Sequence, residues 1–320
     1  NTDYYGIMKA FSKVNFKNKK TLILGSGATS KTFREYCRTE GCEPIIISRK
    51  CEENNYYNIA NHYDANIVVN TTPVAGANMP KETPTDINAF NKLEVVIDVN
   101  YLPHRTRMSE NLGAKYFGGL PMLIHQAFKS YEIYVGEKPQ VTPQEVYSKI
   151  LFDSINIALI GMPCNGKTSV GVALSKKLNR THVDTDIEIE KQEGMPIPNI
   201  FEKKGEEYFR GIETKTFEKF AYLNGQIIST GGGLPLNKMN RQLLKANSIV
   251  VEIRTNRKIT DMVGRPLLNE RSYENLKRER EMVYKSIAGI VVYNDGTVEQ
   301  TTEEVINKIM EYINEKDTCY

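Results

Sequence analysis

Hydrophobic positions in the first part of the chain form short apolar runs separated by segments with helical spacing. The runs lie at 21–24, 44–47, 67–69 and 95–99, and a helical pattern covers residues 29–39. Short apolar runs are typical of buried strands, and their alternation with helices is typical of βαβ units. The pattern therefore predicts an α/β fold with a parallel sheet.

A second alternating series begins at Ile155 and ends in a helix predicted over about 305–314. Between the two series, residues 135–142 (VGEKPQVT) are polar and contain glycine and proline, which is typical of a linker. A short helical segment is predicted to open at Pro143. We therefore expect two α/β domains, at 1–137 and 153–320, joined by a linker at 138–152.

The composition narrows the class of protein. The chain has 320 residues, 40% hydrophobic and 25% charged, as expected of a globular protein with about two domains. A net charge of +3 without clustering argues against nucleic-acid or membrane partners, and no apolar stretch approaches the roughly 18 residues of a membrane span. The odd number of cysteines, without a C-x-x-C pair, favours a reducing, cytoplasmic setting. The first residue, Asn1, indicates a processed chain or a fragment, and the oligomeric state is not indicated.

The most specific motif is Gly161-x-x-x-x-Gly166-Lys167-Thr168, which follows an apolar run at 157–160. This spacing is that of a phosphate-binding loop, in which backbone N–H groups surround nucleotide phosphates, the lysine reaches the β and γ oxygens and the hydroxyl binds Mg²⁺. A chance glycine-rich turn is the alternative, and the strand–loop–helix context disfavours it. The motif predicts a nucleoside triphosphate as ligand.

Two further segments of this half carry candidate chemistry. Asp184 and Asp186 lie two apart in THVDTD, so an extended segment would point both to one face. Beside a phosphate loop, one carboxylate could hold Mg²⁺ through water while the other takes a proton from an attacking hydroxyl. Two solvated acids at a strand end are the simpler interpretation. The glycines 231–233 could expose backbone N–H groups to a ligand or form a plain turn.

Six motifs occur in a fixed order: the phosphate loop, VDTDIEIE, FRGIE, STGGG, RPLL and R-x-x-x-Y. Together they resemble shikimate kinase over about residues 153–315. The resemblance implies a P-loop, nucleoside-monophosphate-kinase-like parallel α/β domain. It also implies transfer of the γ-phosphoryl group of ATP to the 3-hydroxyl of shikimate, with Mg²⁺.

The resemblance also implies site residues. Thr168 would hold Mg²⁺ with Asp184 behind it, Asp186 would be the base, and Lys167 would be catalytic. Arg265 would enter from a closing lid, although 256–264 is shorter than the lid of this family and no arginine stands immediately ahead of Arg265 to stack on adenine. The implied ATP-binding residues are Gly161, Cys164, Asn165, Gly166, Lys167, Thr168, Ser169 and Arg265. The implied shikimate-binding residues are Asp186, Arg210, Glu213, Gly231, Gly232, Gly233 and Arg280, with the two arginines on the carboxylate and Glu213 orienting Arg210.

The first half carries a different phosphate loop, Gly25-x-Gly27-x-x-Ser30, between a strand and a helix. It is a variant of the dinucleotide fingerprint, in which a helix N-terminus faces a pyrophosphate. The second strand ends in IIISRK, where an NAD-binding fold would place an acid. Arg49 and Lys50 instead offer positive charge, and Ser48 a hydroxyl, to a 2′-phosphate, which favours NADPH.

The motifs NTD, GSGATSKT, ISRK, NTTPVAG, DVNYLPHRT and GGLPMLIHQAF resemble the NADP-binding half of shikimate dehydrogenase over about residues 1–137. The resemblance implies a Rossmann-like domain. Its implied cofactor residues are Gly25, Ser26, Gly27, Ala28, Thr29, Ser48, Arg49, Lys50, Thr72, Gly119 and Met122. Its implied substrate residues are Asp3, Tyr101 and Gln126. The family's substrate domain would precede Asn1, so we expect a truncated dehydrogenase module that is inactive alone.

The combined interpretation is a fusion of two consecutive enzymes of aromatic amino-acid biosynthesis, because the product of the reduction is the acceptor for the kinase. Two alternatives stay open. The second half could be a P-loop kinase of another small hydroxy acid, with a front domain that only binds nucleotide or docks. The front domain could also be a regulatory sensor of NADPH.

Overall fold

A computed structural model describes residues 1–110, 113–257 and 273–316. The chain divides into two compact units, Asn1–Leu151 and Phe152–Lys316. Each unit contains a five-stranded sheet whose neighbouring strands are all parallel. The predicted fold class is therefore confirmed.

The first unit has the strand order β2-β1-β3-β4-β5. Alternate residues of its strands pack into two separate apolar clusters: Ile23 and Val69 lie with Phe33 on one face, and Leu22 and Val68 lie on the other. A parallel strand covered on both faces needs a continuous apolar run, which is why the runs are visible in the sequence. Its elements are α1 (Thr2–Ala10), β1 (Thr21–Leu24), α2 (Ala28–Thr39), β2 (Ile45–Ile47), β3 (Ile67–Asn70), β4 (Val95–Asp98), β5 (Lys115–Gly118) and α3 (Leu120–Val135).

A helix, α4 (Pro143–Ser154), follows α3, extends past the unit boundary after Leu151 and covers most of the predicted linker. The helical segment predicted to open at Pro143 is thus present. The domain boundaries at 137 and 153 stay a prediction.

The second unit has the order β10-β9-β6-β8-β7, with β6 in the centre. Because the carboxyl ends of parallel strands share one edge, the segments that follow β6, β7 and β8 lie close together there. The elements are β6 (Asn156–Ile160), α5 (Lys167–Leu178), β7 (His182–Asp184), α6 (Thr185–Glu193), α7 (Ile197–Ala221), β8 (Ile227–Ser229), α8 (Lys238–Asn247), β9 (Ser248–Arg254), α9 (Tyr273–Ile287), β10 (Ile290–Tyr293) and α10 (Val298–Lys316).

Two predicted elements differ from the structure. The segment THVDTD is not extended throughout: β7 ends at Asp184, which caps α6, so Asp186 lies in the first helical turn. The last helix begins at Val298, seven residues before the predicted start at 305.

Helix α7 has non-helical backbone at Gly205, with φ of 81°, and is kinked there. None of the described helices has the length and apolarity needed to cross a membrane.

Candidate functional site

The loop Gly161–Gly166 links β6 to α5 and has an unusual backbone. Gly161, Cys164 and Gly166 have φ values of 142°, 66° and 87°. A Cβ at Gly161 would lie 2.4 Å from the carbonyl oxygen of Ile253, and one at Gly166 would lie 2.2 Å from Asn294 Nδ2. Both glycines are therefore required by conformation and by space. The loop ends at the N-terminus of α5, where backbone N–H groups favour an anion.

The side chains of the phosphate loop are arranged for phosphate and metal chemistry. The Lys167 ammonium lies over the start of the loop and donates to the carbonyl oxygens of Gly161 and Met162, each at 3.0 Å. Thr168 Oγ1 donates to Asp184 Oδ2 at 2.6 Å. Thr168 and Ser169 are exposed in the first turn of α5, and Cys164 is exposed in the loop.

Asp184 and Asp186 come together through helix capping, not through an extended segment. Asp184 Oδ1 accepts from the N–H groups of Asp186 at 3.0 Å and Ile187 at 3.4 Å, while Oδ2 faces Thr168. The expectation that both carboxylates project from one strand face is wrong. The Asp184 carboxylate accepts hydrogen bonds from the first N–H groups of α6. This cap favours the start of a helix over continuation of the strand.

The glycines 231–233 leave room for four functional side chains. A Cβ at Gly231 would lie 2.5 Å from Asp186 Oδ1 and 2.9 Å from Glu213 Oε1. At Gly232 it would lie 2.7 Å from an Arg280 nitrogen, and at Gly233 it would lie 2.3 Å from an Arg210 nitrogen. None of the three has a positive φ, and a side chain at any of them would displace the end of one of these functional side chains.

The sequence suggested that these glycines could expose backbone N–H groups to a ligand. At Gly231 the N–H group is instead hydrogen-bonded within the protein. This N–H donates to Thr185 Oγ1 at 3.0 Å, and Thr185 is fully buried. This bond fixes the glycine segment to the start of α6, one residue before Asp186. Glycine at 231 thus lets the backbone approach α6 and its acid.

Arg210 is held between two glutamates. It donates to Glu213 at 2.9 Å and to Glu206 at 3.1 Å. Burial would lower the pKa of Arg210, but attraction to Glu213 and hydrogen bonds to both glutamates outweigh it and raise the pKa. Glu213 is 1% exposed, and burial raises its pKa to about 7 against the opposing pull of Arg210. The negative charge of Asp186, which also lies beside Gly231, raises the pKa of Glu213 further.

Arg280, on α9, is 3% exposed, and its Nε has no hydrogen-bond partner among the described residues. An unpaired guanidinium N–H in a buried position costs free energy unless an anion satisfies it. Together with Arg210 it places positive charge beside the glycine segment. The two arginines can therefore receive a carboxylate.

Tyr284 has a structural role that the sequence analysis did not assign. Its hydroxyl lies 2.5 Å from the carbonyl oxygen of Gly232 and 3.3 Å from that of Gly161. It thus connects the glycine segment to the start of the phosphate loop. The R-x-x-x-Y spacing, one helical turn, placed Tyr284 beside Arg280 and was the available signal.

The predicted residue Arg265 and the motif at 265–268 lie outside the described residues, as does most of the predicted lid segment 256–264. Asn256 and Arg257 are described. In the described residues, no cluster of three or more His, Cys, Asp or Glu side chains could hold a metal ion.

The front unit places a second glycine loop at the carboxyl end of β1. Gly25 has a φ of 108°, and its Cβ would lie 2.8 Å from Thr71 Oγ1 and 3.1 Å from Thr72 Cγ2. The loop and the segment after β3 therefore meet where the strand order reverses, the usual place for a dinucleotide. A Cβ at Gly27, the N-cap of α2, would meet nothing within 4 Å. Ser26 and Ala28 are exposed and Thr29 is half-buried.

The turn after β2 leaves two cations in solvent. Ser48 is buried, and its Oγ accepts from the Lys50 N–H at 3.2 Å. Arg49 and Lys50 are exposed. Ser48 therefore shapes the turn, and the two cations are the groups available to a phosphate.

A buried acid organises the edge beside this loop. Asp98, at the end of β4, is fully buried and accepts hydrogen bonds from Asn70, Asn100 and Thr106. Asn70 in turn accepts from the N–H and hydroxyl of Thr72 at 3.0 and 2.7 Å. Burial raises the pKa of Asp98 to about 6, although its hydrogen bonds oppose the shift.

The remaining front-unit predictions are spread over α1, α3 and the loop after β4. Asp3 and Gln126 are half-buried, and the Cβ of Gln126 packs 3.1 Å from the Cβ position of Gly6. A Cβ at Gly119 would lie 2.0 Å from the carbonyl oxygen of Val99. Met122 is 7% exposed and packs in the apolar core with Ile7, so little of it reaches a ligand. Tyr101 is 45% exposed.

Comparison with known proteins concerns first the second unit. Residues 163–314 match the family model described as shikimate kinase. A shikimate kinase of Sulfurihydrogenibium sp. is 41% identical over 162 residues, which are 48% of this chain and 97% of that protein. The chain belongs to the shikimate kinase family. The solved shikimate kinase from Acinetobacter baumannii, in complex with shikimate, is 32% identical, with 53% of this chain and 99% of that chain covered and a TM-score of 0.47.

The front unit, outside the shikimate kinase region, is similar to another solved protein. This is the chorismate mutase/shikimate 5-dehydrogenase fusion protein from Clostridium acetobutylicum, which is 26% identical with a TM-score of 0.43. The match covers 47% of this chain and 61% of that chain. This chain therefore spans less than two thirds of that protein.

Proposed function

We propose that the chain transfers the γ-phosphoryl group of ATP to the 3-hydroxyl of shikimate. The observation that supports this most is the grouping of Asp186, Glu213, Arg210 and Arg280 around Gly231–Gly233. These side chains lie at the sheet edge that carries the phosphate loop. A small acid with a hydroxyl group would meet cations for its carboxylate and a base for its hydroxyl there.

The nucleotide phosphates would be bound by the N–H groups of the loop and by Lys167. Its ammonium now donates to two loop carbonyls at 3.0 Å, and phosphate oxygens would replace them as acceptors. Thr168 Oγ1 and Asp184 Oδ2, 2.6 Å apart, are hard oxygen donors that suit Mg²⁺. Mg²⁺, when bound, supplies positive charge that neutralises the phosphates. We propose from motif position alone that Arg265 neutralises negative charge on the transferred phosphoryl group.

In the proposed reaction, Arg210 and Arg280 bind the substrate carboxylate, since a guanidinium offers two parallel donors to a carboxylate. Glu213 holds Arg210 in place. Asp186 accepts the hydroxyl proton as the oxygen attacks the γ-phosphorus. The phosphoryl group passes to that oxygen, and ADP leaves.

The test is an assay of ADP release with shikimate and Mg·ATP, together with mass detection of the phosphorylated product. We expect turnover by the unmutated chain and by Glu207→Gln, an exposed carboxylate on α7 that serves as a matched control. A higher kcat/KM for another small hydroxy acid would favour the alternative kinase. No turnover of shikimate would overturn the proposal.

We also propose that the front unit binds NADPH in preference to NADH. The support is the open space above Gly27, the contact of Gly25 with Thr72, and the exposed Arg49 and Lys50 at the end of β2. Reduction of 3-dehydroshikimate is proposed only for a protein that contains the whole dehydrogenase. The test is titration of the full chain with each cofactor, followed by nicotinamide fluorescence. Equal affinities would overturn the NADPH preference.

A regulatory role for the front unit makes a separate prediction. If bound NADPH controlled the kinase, adding NADPH would change kcat or KM for shikimate. An unchanged kinase rate at saturating NADPH would leave the front unit as a binding module.

A further inference from the structure

The phosphate loop is supported from outside by a residue of the loop after β10. Asn294 Nδ2 donates to the carbonyl oxygen of Asn165 at 3.0 Å. The same nitrogen lies 2.2 Å from the position of a Cβ at Gly166, so it contacts the next residue of the loop as well. Asn294 is itself fixed by its backbone N–H, which donates to the Arg254 carbonyl at 2.8 Å.

The orientation of the Asn294 amide follows from its two neighbours. The Asn165 carbonyl can only accept, so it must face the NH₂ group of Asn294. The Asn294 oxygen then faces Thr301 Oγ1, which lies 3.0 Å away and can donate. Thr301 is 1% exposed at the start of α10, and its hydroxyl also lies 3.0 Å from the Thr297 carbonyl oxygen, so its one proton serves two acceptors.

A second contact holds the same residue of the phosphate loop. The side chain of Asn165 donates from Nδ2 to the Ile253 carbonyl at 2.8 Å, and Asn165 is nearly fully buried. The peptide group between Asn165 and Gly166 is therefore held by the side chain of Asn165 and by the Asn165 carbonyl group. In a trans peptide the N–H points opposite to the C=O. Holding the Asn165 carbonyl toward Asn294 directs the Gly166 N–H away from Asn294, toward the side on which phosphates would bind.

We infer that Asn294 is a positioning residue for the nucleotide phosphates, acting through the Asn165–Gly166 peptide, with Thr301 orienting Asn294. The inference rests on the proposed function. This positioning role can be distinguished by experiment from a direct contact between Asn294 and the nucleotide base. Loss of Asn294 should weaken the binding of a phosphate chain that has no base.

The test is calorimetric titration of the full chain with Mg·ADP, with magnesium tripolyphosphate and with shikimate. Asn294→Ala should weaken Mg·ADP and tripolyphosphate by the same factor, about three- to tenfold, as expected for one lost hydrogen bond. Shikimate affinity should not change, because the hydrogen bonds of Asn294 in the described part of the chain join it to Asn165, Thr301 and Arg254 and not to the residues around Gly231–Gly233. A loss confined to Mg·ADP, or an equal loss for shikimate, would overturn the inference.

Thr301 supplies a matched pair that tests the inference even if Asn294→Ala folds poorly. Thr301→Val removes the hydroxyl at nearly constant shape and should weaken both phosphate ligands by about two- to threefold. Thr301→Ser keeps the hydroxyl and should restore binding. Equal affinities in the two Thr301 variants would contradict the relay. If the unmutated chain bound shikimate but not Mg·ADP, the proposed function would fail, and the inference with it.

Discussion

The glycine loops after β6 and β1 occupy equivalent places in two parallel sheets but differ in what surrounds them. In the kinase half, Cβ atoms at Gly161 and Gly166 would collide with protein atoms, and so would those at Gly231–Gly233. In the front half, Gly25 is crowded, whereas Gly27 faces open space. The first site is shaped by its own side chains, and the second leaves room at the helix terminus for a ligand.

The two regions also differ in where they place charge. Around Gly231–Gly233, the side chains of two acids and two arginines end close to where glycine Cβ atoms would lie, and two of the four, Glu213 and Arg280, are buried. In the front half the buried acid, Asp98, has only neutral hydrogen-bond partners in the described structure, and the cations Arg49 and Lys50 are exposed. The difference suits chemistry in one half and recognition of a charged cofactor in the other.

The largest expected effect is at the proposed base. Asp186→Asn should lower kcat for shikimate phosphorylation by about 10²- to 10⁴-fold, since a positioned base contributes that much. Lys167→Ala should lower kcat by at least about 10²-fold through loss of charge stabilisation. Steady-state kinetics beside Glu207→Gln would measure both. Near-normal kcat in Asp186→Asn would remove Asp186 from the mechanism.

The next effect concerns the front half and cofactor choice. Arg49→Ala should narrow the preference for NADPH over NADH by about ten- to a hundredfold, because a charged hydrogen bond to phosphate contributes about 1.5–3 kcal/mol. Lys92→Ala, an exposed cation just before β4 at the opposite edge of the sheet, is the control. If Arg49→Ala left the ratio of the NADPH and NADH dissociation constants unchanged, the preference for NADPH would have to come from other residues.

A paired glycine substitution tests the comparison directly. Gly233→Ala would bring a methyl group to 2.3 Å from Arg210 and should raise KM for shikimate by about tenfold or more. Gly27→Ala should leave thermal stability unchanged, because no protein atom lies within 4 Å, yet weaken NADPH binding by about tenfold. Unchanged NADPH affinity in Gly27→Ala would mean that no ligand approaches that position.

The apolar runs predicted β1 to β4 and β6, because parallel strands need continuous apolar runs such as 67–69 and 157–160, but β5, β9 and β10 were not predicted individually. The sequence did not predict how Asp186 reaches the site, since capping by Asp184 depends on where β7 stops. The early start of α10 had a local signal that went unused: Thr297 and Gln300 bond reciprocally as a capping box. The role of Asn294 had none, because the contact joins residues 129 positions apart.

The sequence left the contribution of the glycine segment open. Three consecutive glycines indicate either flexibility or close approach, and the sequence alone cannot say to what. Only the fold brings Arg210 from α7 and Arg280 from α9 to the same segment. The motif order nevertheless pointed to these residues, although FRGIE and R-x-x-x-Y lie within helices and not at strand ends.

Substitution of Asp98 is expected to have the smallest effect on activity. Its effect on stability should depend on pH. The pKa of Asp98 is raised from 3.8 to about 6 in the folded chain, so between these values the folded state holds a proton that the unfolded state has released. Stability contributed by this group therefore falls as pH rises from about 4 to 6. Asp98→Asn cannot titrate, and it loses an acceptor for Asn100 or Thr106, so it should be less stable than the unmutated chain at low pH. The deficit should shrink by up to about 3 kcal/mol as pH rises to 6. Urea unfolding of both proteins at several pH values measures this difference, with the kinase rate expected to stay unchanged. A deficit that does not vary between pH 4 and 6 would show that folding does not raise the pKa of Asp98.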